Sequence, residues 1–157
     1  MRVAYVRSGG PRDRAYLSRP DGSTATIHPH SYGGGFPHDL AHFAVERALG
    51  LTGGFWGLLT DGVDWERVNA AADRGAKGGI DRDVAELRVA EAAVGLLTSE
   101  ASTLDELTAA YAAEGVAIPS DLATRVADAR AQLADLAAAW SQVPEGDQLL
   151  LEWPAPE

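Results

Sequence analysis

All four histidines of the chain fall in one short stretch, His28 to Glu46, which reads H-P-H-S-Y-G-G-G-F-P-H-D-L-A-H-F-A-V-E. His28 and His30 are spaced H-x-H, His38 and His42 are spaced H-x-x-x-H, and a glycine run separates the pairs. Alternate residues of an extended strand share one face. Residues four apart on a helix lie one turn apart and within about 40° of each other. Either spacing puts two imidazoles on one side of a backbone element, which is what a shared metal ion needs. His38 and His42 are therefore the core ligands of a candidate metal site, and the glycine loop could fold His28 or His30 back to complete it. Cysteine is absent, so the donors are imidazole and carboxylate. These suit zinc first, and also iron, manganese, nickel or copper.

Two carboxylates accompany the helical pair. Asp39 and Glu46 are the candidate catalytic groups, placed to move a proton at the site. Asp39 is accounted for equally well as an acidic residue at the positive end of a helix dipole. Glu46 continues the series as H-x-x-x-H-x-x-x-E. At a rise of about 1.5 Å per residue it lies about 12 Å along the axis from His38, too far for one ion to bind both easily. It can join His42 or act behind it, and it ranks below His28 and His30 as a ligand.

The segment H-D-L-A-H, residues 38–42, resembles the H-E-x-x-H signature of the zincin metallohydrolases, with Asp39 where that family has its glutamate. The resemblance implies that His38 and His42 bind zinc and that Asp39 activates a water. Asp64 or Glu66 would be the more distant third carboxylate. As bare sequence features, Asp61, Asp64 and Glu66 read as turn and cap residues, and Phe55 and Trp56 as core.

The elements that must position these groups follow from periodicity and punctuation. Residues 2–7 read as a first strand, and 14–19 and 23–28 as a hairpin turning on P-D-G, with Gly22 at positive φ. Ala25 and Ile27 then share one face, and Thr24, Thr26 and His28 the other. Residues 31–36 form a loop. A helix runs from Pro37, as its first residue, to Leu49, ending near Gly50. A short helix or turn carries Phe55 and Trp56, a second short helix follows Asp64, and residues 74–80 form a polar, glycine-rich loop. Asp83 with Glu86, and Thr103 with Glu106, read as capping boxes of helices to about Leu97 and Glu114. A long helix from Pro119 to about Gln142 carries Leu122, Val126, Ala129, Leu133, Leu136 and Trp140 as a seam for a neighbouring antiparallel helix. The last strand places Leu149, Leu151 and Trp153 on one side.

The expected fold is α+β: a small, mainly antiparallel sheet of N-terminal strand, hairpin and C-terminal strand, covered by a helical layer. The whole chain, 1–157, reads as a single domain, with 1–50 holding strands and the histidine-bearing helix, 83–142 a helical scaffold, and 147–153 the C-terminal strand. The formal net charge of −10 argues against a nucleic-acid or anionic-membrane partner. The absence of cysteine and of any signal-like apolar run points to the cytoplasm. Two functional readings follow. One is a metal-dependent hydrolase or lyase acting on a small-molecule substrate. The alternative is a non-catalytic interaction or accessory domain, with a structural metal or none. In that reading the Leu122–Trp140 seam, longer than the preceding helices obviously cover, supplies a partner-binding or homodimer face.

Overall fold

The structure is a computed structural model, and it describes residues 1–9, 12–29, 35–72, 80, 83–99 and 103–154. His30, most of the first glycine loop and residues 74–79 lie outside the described residues.

Four strands, β1 (Arg2–Val6), β2 (Arg14–Ser18), β3 (Thr24–Ile27) and β4 (Gln148–Glu152), form one antiparallel sheet in the order β3-β2-β1-β4. The β2–β3 hairpin turns on Pro20-Asp21-Gly22 as the sequence predicts, with Gly22 at φ 84°. Strict alternation gives the sheet one buried face, carrying Val3, Tyr5, Ala15, Leu17 and Ile27. Thr24, Thr26 and His28 point the other way, to solvent.

Six helices are formed among the described residues: α1 (His38–Leu49), α2 (Phe55–Thr60), α3 (Trp65–Ala72), α4 (Ala85–Leu97), α5 (Leu104–Ala113) and α6 (Leu122–Ser141), and all but α5 contribute to the core against the buried face. The α+β expectation therefore holds. Three details differ from the sequence reading. The long helix α6 begins at Leu122, after Asp121, and not at Pro119. Pro37 is the residue before α1, because its ψ of 137° is extended; its carbonyl accepts from the Leu40 and Ala41 amides. The Asp83–Glu86 box does not form: Asp83 accepts from Ala85 N, but the Glu86 carboxylate reaches across to Gly53 N at 2.6 Å. The Thr103–Glu106 box is present in both directions.

Helix α1 is the axis of the molecule. Leu40 and Phe43 join the sheet-side core with Trp56, Leu58, Leu59, Trp140 and Trp153. Ala41, Ala44, Val45 and Leu49 join a second core with Val89, Ala90, Ala93 and Val94 of α4 and Leu122, Ala129 and Leu133 of α6. Small side chains on both sides, Ala41 and Ala44 against Ala90 and Ala93, suit a close approach of α1 and α4. Each fully buried leucine or phenylalanine contributes about 1.5–3 kcal/mol relative to exposure. The α6 seam is covered within the chain: its lower part packs in the helical core, and Trp140 meets Tyr5 edge-on at 5.3 Å. This removes the observation that motivated a partner-docking face there.

Candidate metal centre

Lying between two cores, α1 buries eight consecutive residues, Asp39 to Glu46. Three of them are polar, and a buried polar group costs free energy unless it is hydrogen-bonded. The way His42 and Glu46 are satisfied builds the site.

Glu46 is fully buried, and both its oxygens are engaged. Oε1 accepts from His42 Nδ1 at 2.8 Å and from Phe55 N at 2.9 Å, and Oε2 accepts from Trp56 N at 3.0 Å. The carboxylate thus closes the amino end of α2, which has no side-chain cap of its own. Trp56 returns the contact, donating its indole N–H to Asp39 O at 2.8 Å. Gly54 makes the approach feasible, since a Cβ there would stand 2.6 Å from the buried carboxylate. Gly54→Ala is expected to cost about 1–3 kcal/mol through overpacking, read as a lower urea midpoint with unchanged slope.

With Nδ1–H held by Glu46, the lone pair of the neutral His42 ring falls on Nε2, directed away from the core. His38 Nε2 is 3.2 Å from it. The third member is Glu91 of α4, with Oε1 at 3.4 Å from His42 Nε2 and Oε2 at 3.8 Å from His38 Nε2. Ligand atoms about 2.0–2.1 Å from one ion in tetrahedral geometry lie about 3.3 Å apart, so these separations fit a common centre. One donor atom from each of His38, His42 and Glu91 lies within 4.8 Å of the others, a group able to hold a metal ion. The site is closed on the Glu46 side and open on the other: the His42 side chain is 1% exposed, that of Glu91 32% and that of His38 56%.

The electrostatics are those of a cation site filled by a proton. Burial works against a charged His42, but hydrogen bonds to Glu46 and Glu91, and their charges, outweigh it and raise its pKa to about 10. Burial likewise works against a charged Glu91, yet its contacts with His38 and His42 bring it down to about 2. For Glu46, burial dominates over His42 and the two amides and pushes its pKa up. Both shifts thus favour the protonated form of the His42–Glu46 pair.

The remaining residues singled out in the sequence fall elsewhere. His28 is exposed and lines a separate cleft with Asp64 and Glu66, so none of these three belongs to the triad. His30 lies outside the described residues. Asp39 is buried on the Phe43 flank of α1; after burial itself, its charge is the next cause that raises the pKa of the Tyr5 hydroxyl. Its side chain belongs to the sheet side, not to the triad. Glu46 stands behind His42 as a positioning residue.

Glu91 was not anticipated, because the histidine-free segment 83–142 reads as scaffold. A signal was present: Glu91 shares a helix flank with buried Leu87 and Val94, one turn to either side. A carboxylate in that position needs a partner, though nothing in its spacing says which. No protein-family model, curated protein or solved structure matches this chain.

Proposed function

We propose that the protein is a metal-dependent enzyme, a hydrolase or lyase, that works on a small-molecule substrate at a divalent ion held by His38, His42 and Glu91. The observation that carries this reading is the buried Glu46 carboxylate on His42 Nδ1, the carboxylate–histidine arrangement that fixes ring tautomer and orientation at metal sites. Two imidazoles and one carboxylate suit zinc, with Fe(II) as the nearest competitor. Three protein ligands on a solvent-facing rim leave a coordination position for water or substrate, the arrangement of catalytic rather than structural sites. An ion bound there supplies Lewis acidity, polarising a carbonyl or lowering the pKa of a water. The resemblance of H-D-L-A-H to the zincin signature supports the two histidines as ligands. Asp39, on the sheet side of α1, is not used as the base.

The test is elemental analysis of protein purified without a histidine tag, wild type beside His38→Ala, His42→Ala, Glu91→Ala and His28→Ala. Near-stoichiometric metal is expected in the wild type and in His28→Ala, and its loss in the other three. Hydrolase and lyase screens then use the ion so identified. Metal retained in Glu91→Ala would overturn this ligand set. A wild type that takes up none of zinc, iron, manganese, nickel or copper on reconstitution would end the enzyme reading.

A further inference from the structure

On the opposite side of α1 from His38 lies an open cleft lined by arginines. Arg47 is nine residues beyond His38, which turns it about 180° around the helix. It lines an open cleft of about 770 Å³ with Arg2 of β1, Arg19 at the end of β2, Glu152 and Trp153. Three arginines from three separate elements thus line one cleft in which Glu152 is the one carboxylate among the described lining residues, in a chain whose formal net charge is −10. The cleft shares no residue with the metal centre.

The three arginines are differently prepared. Arg19 is fixed: its Nε donates to Leu59 O at 2.6 Å and its Nη1 to Ser23 Oγ at 3.3 Å, leaving Nη2 uncommitted. Arg2 and Arg47 are exposed and make no hydrogen bond or ion pair among the described residues. Arg47 in the last turn of α1 is favoured there by the helix dipole. That accounts for one cation, not for its lining one cleft with Arg2 and Arg19. Guanidinium groups match phosphate and carboxylate oxygens with paired, charge-assisted hydrogen bonds. One fixed guanidinium with a free Nη2 and two uncommitted arginines lining the same cleft suit a multiply charged small oxyanion. The cavity's size admits an organic body as well, and the surrounding negative charge disfavours a long polyanion.

We infer that the Arg2–Arg19–Arg47 cleft is a binding site for a small, multiply charged phosphate- or carboxylate-bearing anion, separate from the metal centre. The test is isothermal titration of the full chain, stripped of metal, with inorganic pyrophosphate and with citrate at low ionic strength. Saturable binding is expected for at least one probe, weakened about tenfold or more in Arg2→Ala and in Arg47→Ala. Arg47→Gln, which keeps the side-chain stem, should behave like Arg47→Ala. Binding should persist in Arg14→Ala, a surface charge control, and in His38→Ala, which removes the exposed histidine of the candidate metal centre. Pyrophosphate bound better than citrate would identify phosphate as the recognised group, and the reverse carboxylate. No saturable binding of either probe, equal loss in Arg14→Ala, loss in His38→Ala, or tighter binding of a single-stranded oligonucleotide would each overturn the inference.

Discussion

Replacing Glu46 by glutamine is expected to weaken metal binding by about ten- to a hundredfold while leaving the protein folded. The size follows from what the carboxylate does. Its two oxygens accept three hydrogen bonds, from His42 Nδ1, Phe55 N and Trp56 N. A glutamine offers one oxygen and one NH2 group. With its oxygen toward His42 and Phe55, the NH2 meets the Trp56 amide; turned round, it meets His42 and Phe55. In the first orientation His42 keeps its tautomer but loses the charge that made its ring more basic. In the second, Nδ1 becomes an acceptor, the ring proton moves to Nε2, and the ligand position is blocked. Either way at least one buried donor is unsatisfied, at a cost of about 1–3 kcal/mol. Glu46→Ala removes all three bonds at once and should cost more, about 3–5 kcal/mol, by leaving a buried charge-bearing partner alone. Metal titration and urea denaturation of both variants separate the two effects. Wild-type metal affinity in Glu46→Gln would show that Glu46 serves the fold alone and does not position the ligand.

The fold was legible where one rule acted locally. Period-two alternation put Ala25 with Ile27, and Leu149 with Leu151 and Trp153, on the sides that meet the core, P-D-G gave the hairpin, and the Thr103–Glu106 pair gave a helix start that the structure contains. The Asp83–Glu86 pair has the same spacing and forms no box, because Gly53 N offers Glu86 a partner from a distant segment. Local spacing cannot register that competition. The site divides the same way. The H-x-x-x-H pair needs only helix geometry, and the structure brings His38 and His42 together. Glu46 follows in the same helix, yet its burial depends on Gly54 and α2 arriving beside it. Glu91 depends on how closely α4 packs on α1, a tertiary fact that alanines permit but do not announce. His28 lies apart from the triad for the converse reason. Just past β3 it is exposed and lines another cleft, and the spacing of the glycine run carries no information on where the run leads.

Metal binding at this centre should weaken about tenfold for each pH unit below 10, so that affinity at pH 7 is roughly a hundredth of that at pH 9. In the metal-free protein the proton on His42 is held by Glu46 and Glu91 despite burial, with a pKa raised to about 10. The Glu91 carboxyl, lowered to about 2, remains charged throughout this range. A ligand nitrogen must surrender its proton before it can bind an ion, so one proton leaves for each metal taken up. The sign for stability is opposite in the two states. Without metal, the raised His42 pKa contributes stability that is complete below the unfolded value of about 6.5 and is lost as pH rises through about 10. The lowered Glu91 pKa contributes above about 4.3 and is lost as pH falls through about 2. With metal, the ion replaces the proton between His42 and Glu91, and the alkaline loss should disappear. Calorimetric titration at pH 8 in two buffers of different ionisation enthalpy counts the protons directly. About one per ion is expected, whereas a histidine at its ordinary value of about 6.5 would release almost none. A count near zero would mean that His42 is neutral before the ion arrives, with Glu46 and Glu91 orienting its ring rather than charging it.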